Sequence, residues 1–333
     1  MAGYIIRRLS YLPPTLLFIS FAAFALTRFG PGDPVSRYAG QYRDPAVLEQ
    51  VRKAKGLDGS VFEQYWRWLV DALQGDFGDS FLQQGYTVSE LIFPRMWISA
   101  QLGIIALVIV FAVGIPLGLL AARASGTWLD PVIISSLLFL QAIPVLVVIP
   151  PLLWIFATEY DVLPVGGWGS SGYDLNGLFD IWWVGGVVTI PIPDPHLYIP
   201  LVAFTLPGFV GVARLVRISA LEVNQEDYVR TARAKGLSEW RVQTRHVFPN
   251  SLLPLITVVG FALAGVIEGA LFVETLLGIN GIGRFTFEAV VSRDYDVILA
   301  TTMVFATVFI MMNLVVDVAY GFVDPRIRVG AAR

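Results

Sequence analysis

The chain has no cysteine and only two histidines in 333 residues. Without thiols there is no disulfide framework, no zinc–thiolate site and no cysteine nucleophile. His196 and His246 alone do not make a multi-histidine metal centre. Charge is also scarce: Asp, Glu, Lys and Arg make up 15% of residues, where an average soluble domain has about 25%. The 23 basic and 26 acidic residues leave a net charge of −3, with no field to attract a polyanion, so nucleic acid is excluded as a partner. No Gly-Lys dipeptide occurs, so the phosphate-cradling loop G-x-x-x-x-G-K-[ST] is missing and the chain carries no ATPase of its own. No metal, cofactor or catalytic residue is expected within it.

Apolar residues, at 56%, and a mean hydropathy of +0.67 take the place of charge. They fall in uncharged runs long enough to cross about 30 Å of hydrocarbon. Six such runs lie between Arg8 and Arg28, Arg95 and Arg123, Asp130 and Glu159, Asp194 and Arg214, Arg245 and Glu268, and Asp296 and Asp317. A shorter stretch, Ile181 to Pro193, is interrupted by Gly185, Gly186 and Pro191 and reads as loop outside the bilayer. The first run, with 19 uncharged residues, exceeds a cleavable signal's apolar region and is expected to remain as a span.

The basic residues suggest an orientation. With the N-terminus inside, 13 of them are cytoplasmic, seven between Arg214 and Arg245. The stretch from Glu159 to Pro200 has five acids and no Lys or Arg, which suits an outer location. The expected order is therefore a cytoplasmic N-terminus and first span over 1–29, an extracytoplasmic cap over 30–96, and a core domain over 97–333. Within the core, spans are expected at 97–122, 131–158, 198–216, 251–274 and 297–320. Outer loops fall at 159–197 and 275–296, a cytoplasmic loop at 217–250 and a cytoplasmic tail at 321–333. The cap, with Trp66 and Trp68 on a helix-like stretch, should fold as an amphipathic lid.

The long cytoplasmic loop reads as helix, turn, helix. Glu226-Asp227 opens a helix whose last turn holds Arg230, Arg233 and Lys235, so the charges suit the dipole at both ends. Gly236 stops it as a left-handed cap. Ser238 is placed to cap a second helix, Glu239 to Val247, closed by Pro249. The first helix is too short to be stable alone and needs a partner surface.

The stretch Asp227-Tyr228-Val229-Arg230-Thr231-Ala232-Arg233-Ala234-Lys235-Gly236-Leu237, followed by His246-Val247-Phe248-Pro249-Asn250, resembles the EAA loop of ABC-importer permeases. Gly236 and Pro249 keep that motif's spacing, while Arg230 and Thr231 replace its first Glu and Ala, as in the dipeptide, oligopeptide and nickel branch. Pro31-Gly32-Asp33-Pro34, Gly75-Asp76-Phe77-Gly78-Asp79-Ser80, Val273-Glu274-Thr275, Gly281-Ile282-Gly283, Arg293-Asp294-Tyr295 and Asp324-Pro325-Arg326 are also similar to that branch. Two features depart from it: a long segment from Val165 to Pro195, and an acid at Glu268.

The resemblance implies an all-α polytopic membrane protein with six transmembrane helices, the type I ABC importer permease fold, in the plasma (inner) membrane with both termini cytoplasmic. It implies a second permease subunit, a heterodimer in preference to a homodimer, with two cytoplasmic ATP-binding subunits that use ATP and Mg, an extracytoplasmic substrate-binding protein, and surrounding lipid. The solute would be a peptide or a related small polar molecule moved by alternating access. Asp227, Tyr228, Thr231, Ala232, Ala234, Gly236, Leu237 and Pro249 would couple to the ATPase: Ala232 and Ala234 allow close approach, and Tyr228 and Leu237 anchor the loop on the partner. Glu268 and Glu274 are candidate translocation-pathway residues. Two other readings compete. An ion-coupled secondary transporter would want ionisable ligands near the midplane, of which the spans carry almost none. A membrane hydrolase would use Ser171 in Gly169-Ser170-Ser171-Gly172, but that motif sits in a polar loop.

Overall fold

The computed structural model describes residues 2–29, 44–54, 58–80, 83, 85–168, 179–180, 183–184, 187–188, 192–193 and 195–323. In chain order the helices are α1 (Ala2–Phe29), α2 (Pro45–Ala54), α3 (Val61–Leu73), α4 (Val88–Arg123), α5 (Leu129–Ala142) and α6 (Val145–Leu152). They continue with α7 (Tyr198–Asn224), α8 (Asp227–Ala234), α9 (Glu239–Val242), α10 (Phe248–Ser251), α11 (Leu255–Glu268), α12 (Leu271–Leu276), α13 (Ile282–Ser292) and α14 (Tyr295–Val323). Five of these helical stretches are long and apolar enough to cross a membrane, and six if a bent pair is one broken span. The architecture is all-α and polytopic. Between α6 and α7, four two-residue strands pair antiparallel in two separate pairs, Phe179 opposite Pro193 and Trp183 opposite Val188.

Several elements depart from the sequence-based expectations, each for a local reason. The segment 131–158 is not one helix: α5 and α6 meet at 87°. Pro144 forces this, because its ring disfavours helical backbone at the preceding residue, and Ile143 is extended at φ −81°, ψ 114°. Beyond Pro150 and Pro151 the chain continues at π pitch over Leu153–Glu159. The segment 251–274 breaks at Gly269, whose φ of 83° and ψ of 173° suit glycine alone. The helix α7 runs to Asn224, eight residues past the expected end at 216, since nothing before Asn224 breaks it. The expected loop 275–296 contains α13, whose Ile282, Phe285 and Ala289 recur at helical spacing and are buried.

The described chain divides into two compact units, 1–97 with 282–333, and 98–281. In this division the C-terminal residues group with the N-terminal ones. In the first unit Phe24 of α1, Tyr65 and Leu69 of α3 and Leu299 of α14 share one apolar cluster. The Tyr65 and Ser20 hydroxyls lie 2.8 Å apart. α3 starts with a capping box: Ser60 accepts from the Glu63 N–H and the Glu63 carboxylate accepts from the Ser60 N–H. Trp66 is exposed, while Trp68 packs on the cluster. The Gly75–Ser80 and Arg293–Tyr295 motifs meet here, 214 positions apart, through a 2.8 Å hydrogen bond from the Ser80 hydroxyl to the buried Asp294 carboxylate. Asp294 also accepts from the Val297 N–H, capping α14. Arg293 takes the left-handed conformation at φ 57° to make that turn.

In the second unit α4 and α7 pack through glycines. A Cβ on Gly114 would lie 2.8 Å from the Phe209 carbonyl, and one on Gly118 2.5 Å from that of Ala213, so only glycine permits this approach. Gly103 packs in the same way on Val266, whereas a Cβ on Gly265 would meet open space. The α5 and α7 ends are joined by a bidentate ion pair, Arg217 Nη2 to Asp130 at 2.7 and 2.8 Å, with both side chains about four-fifths buried.

Candidate functional site

The α7–α10 turn carries most of the candidate residues. Glu226 occupies the N-cap position of α8 in extended backbone without a side-chain capping bond, and the helix begins with Asp227, whose carboxylate suits its positive end. It ends as the sequence suggested. Gly236 is left-handed at φ 78°, its N–H donates to the Arg233 carbonyl at 2.9 Å, and the Leu237 N–H reaches the Ala232 carbonyl at 3.4 Å. These two bonds make a Schellman motif, and Leu237 and Ala232 supply its apolar contact.

The two faces of α8 differ in what they touch. Val229 and Ala232 are buried against Ala122, Ala220, Val242 and Val247, with Leu237 half-buried beside them. Ala232 and Leu237 therefore pack on this chain's own helices. The opposite face, with Asp227, Tyr228, Thr231 and Ala234, is exposed, as are Gly236 and Pro249. Tyr228 leaves 43% of its surface open, a large exposed area for an aromatic residue. Burial and the neighbouring Glu226 raise its phenol pKa.

A polar network fastens α8 to its neighbours. Arg233 donates to both carboxylate oxygens of Glu239, at 3.1 and 2.9 Å, and to the Asn224 side chain at 2.8 Å. The Gln243 amide donates to Asn224 and Glu239 at 3.0 and 2.8 Å. Hydrogen bonds from Arg233 and Gln243 hold the Glu239 carboxyl at about 2, well below its ordinary 4.5. The same bond to Glu239 raises Arg233. Sequence reading missed Asn224 and Gln243. A polar residue at a helix end is a weak signal, and their meeting across 19 positions leaves no local trace.

Ser238 occupies the cap position of α9, yet its side chain makes no capping hydrogen bond. Pro249 does not close this helical run, which continues to Ser251. The turn before Pro249 widens to π pitch over Gln243–Val247, with the Phe248 N–H bonded to Gln243. That shift accommodates a residue without an N–H and with a ring that clashes one turn back.

Of the pathway candidates, the Glu268 side chain lies outside the described residues, as does Ser171 of the hydrolase reading. Glu274 is fully buried. Its Oε1 accepts from the Ser99 hydroxyl at 2.7 Å and the Ala270 N–H at 2.9 Å, while its carbonyl accepts from Ile279 at 2.8 Å. Gly281 lies so close that a Cβ there would stand 2.4 Å from the Glu274 carboxyl carbon. In this conformation Glu274 braces the 269–281 turn and offers no surface to a solute. Among the described residues no group of three or more His, Cys, Asp or Glu could hold a metal ion.

Comparison with known proteins gives these features a family. Residues 114–329 match the model of the binding-protein-dependent transport system inner membrane component, and residues 1–87 match its N-terminal companion. The chain is 32% identical to a probable peptide ABC transporter permease protein of Sinorhizobium fredii, covering 98% of this chain and 100% of that one. It is 33% identical to the dipeptide transport system permease protein DppB of Escherichia coli K12 and to the oligopeptide transport system permease protein AppB of Bacillus subtilis, each over 98% of this chain and 99% of the relative. The helical architecture, the spacing of the α8 turn and these full-length matches agree: the chain belongs to the binding-protein-dependent transport system inner membrane component family of ABC transporter permeases.

Proposed function

We propose that this chain is one permease half of an ABC importer that moves peptides, or a related small polar solute, into the cytoplasm by alternating access. Its partners are a second permease subunit, in a heterodimer, two ATP-binding subunits that hydrolyse ATP with Mg, and an extracytoplasmic substrate-binding protein. Both termini and the α7–α10 turn are on the cytoplasmic side. The names of the relatives support the peptide reading.

The observation that carries the coupling role is the asymmetry of α8. Its inner face is locked into the ends of α4 and α7, and its outer face of Asp227, Tyr228, Thr231 and Ala234 is exposed. A helix so seated moves as one piece with α7, so a push on its outer face reaches a membrane span without being lost in local bending. Pro249 and Gly236 set the path of the chain around this lever, and Ala232 and Leu237 fix its seat.

The chain's lack of cysteine permits a direct test. Single-cysteine variants Thr231→Cys, Ala234→Cys and Ala232→Cys are made in the full importer in inside-out vesicles and treated with a membrane-impermeant maleimide. The first two label in the permease alone and are protected when the ATPases are bound, while Ala232→Cys stays unreactive throughout. Labelling of Thr231→Cys and Ala234→Cys that is unchanged by the ATPases would overturn the coupling role. Uptake by the permease in vesicles with an ion gradient and no ATP would favour the secondary-transporter reading.

A further inference from the structure

Where α4 ends against the α9 turn, a cleft of about 340 Å³ opens in the second unit. Its apolar lining is Pro116, Leu119, Leu120 and Phe248, and Arg123, Trp240, Gln243 and Thr244 complete it. Arg123 is the first charge after the uncharged run that follows Arg95, so it marks where this span meets water. Pro116 and Leu120 are exposed on the same helix face, one turn apart, and lead along α4 to that cation. Trp240 is 67% exposed and carries an amphipathic ring of the kind membrane proteins concentrate at the interface. The Arg123 guanidinium carbon sits over its ring, 5.7 Å from the centroid.

The polar groups of the cleft are not equally available. The Gln243 amide is spent on Asn224 and Glu239, and the Thr244 hydroxyl donates to the Trp240 carbonyl at 2.8 Å. Glu239 influences Arg123 only at longer range and is bonded to Arg233. Among the described residues no carboxylate lies within ion-pair distance of Arg123. A guanidinium with no carboxylate at hydrogen-bonding distance keeps donors for a planar or tetrahedral anion. Arg241 and Arg245, both exposed on the same helical run, add charge of the same sign.

We propose that this cleft binds an anionic phospholipid, with the phosphate on Arg123 beside the Trp240 indole and an acyl chain along Leu120 and Pro116. A cation with no carboxylate within ion-pair distance selects a negative headgroup, and the apolar stripe beneath it selects a lipid over a soluble phosphate. The site requires only that Arg123 ends a membrane span, so it does not depend on the coupling role of α8 or on which side the turn faces. Trp240 adjoins Glu239, so a lipid held there braces the helix that anchors Arg233 of α8.

The test uses the full-length chain in nanodiscs of phosphatidylcholine with graded amounts of a lipid brominated on its acyl chains, either phosphatidylglycerol or phosphatidylcholine. The Trp240 signal is isolated from the nine tryptophans as the difference between the chain and its Trp240→Phe variant. Brominated phosphatidylglycerol is expected to quench Trp240 at about fivefold lower mole fraction than brominated phosphatidylcholine, the scale of one basic contact at an anionic surface. Arg123→Gln should level the two, and Arg123→Lys should keep most of the difference, separating loss of charge from loss of fold. Equal quenching by both lipids, or a preference that survives Arg123→Gln, would overturn the proposal. Absence of quenching by either lipid would also overturn it, placing water or protein in the cleft.

Discussion

The α8 turn and the 269–281 turn both reverse the chain through glycines at positive φ, Gly236 in one and Gly269 and Gly278 in the other. They are fastened differently. The α8 turn buries an apolar face and places its charges, Arg233 and Glu239, where 38% and 59% of the side-chain surface meets water. The 269–281 turn wraps a single acid, Glu274, with no exposure at all. Exposed ion pairs are screened and cheap to exchange, whereas a buried carboxylate with dedicated donors fixes one geometry at a high cost of removal. The first arrangement suits a surface that meets partners, and the second suits a turn that must keep its shape.

The largest effect should come from placing a charge on the buried face of α8. Ala232→Asp puts an unpaired carboxylate among Val229, Val242 and Val247, at a cost of several kcal/mol. The turn should lose its fold, seen as a lowered unfolding midpoint of the purified chain. Ala234→Asp, two residues away on the open face, should change stability by less than about 0.5 kcal/mol yet abolish solute-stimulated ATP hydrolysis in the assembled importer. Equal stability of the two variants would break the distinction between the faces.

Next comes Glu274→Ala, which leaves the Ser99 hydroxyl and the Ala270 N–H without this acceptor, at about 1–3 kcal/mol for each buried group left unsatisfied. Thermal unfolding measures it, and an unchanged midpoint would show that the acid does not brace the turn. Gly236→Val forces a β-branched residue to the left-handed conformation, at about 1–2 kcal/mol, and should uncouple transport while membrane insertion is retained. Normal solute-stimulated hydrolysis in this variant would remove Gly236 from the lever. The smallest effect is Glu239→Gln, about 0.2–1 kcal/mol for an exposed pair. Because the Glu239 carboxyl is lowered from 4.5 to about 2 in the folded chain, its contribution is complete above the ordinary value and disappears as pH falls through about 2. The difference between Glu239→Gln and the parent chain should therefore shrink on acidification, which unfolding midpoints at graded pH would show.

Much of the α8 site was legible because its signals are local. Asp227 at the positive end, basic residues in the last turn and Gly236 beyond them specify a capped short helix within eleven consecutive residues, and α8 has those limits. What the sequence did not reveal is which face is occupied. Small residues at 232 and 234 look alike as places for close approach, and only the packing of α4, α7 and α9 buries one and leaves the other open. Glu274 shows the same limit from the other side. An acid near the end of an apolar run gives no local sign that it is buried or that Ser99, distant in sequence, donates to it.

Composition and uncharged run lengths by themselves determined that the chain is an all-α membrane protein with room for six spans, because the hydrocarbon core admits only segments that satisfy their own backbone. Proline and glycine placement marked where helices could break, through sterics confined to adjacent residues. Tertiary structure alone decided which face of α8 is covered and that Asp294 joins Ser80 across the chain. These outcomes depend on which distant surfaces are present to cover an apolar face or satisfy a buried acid, and no window of neighbouring residues carries that information.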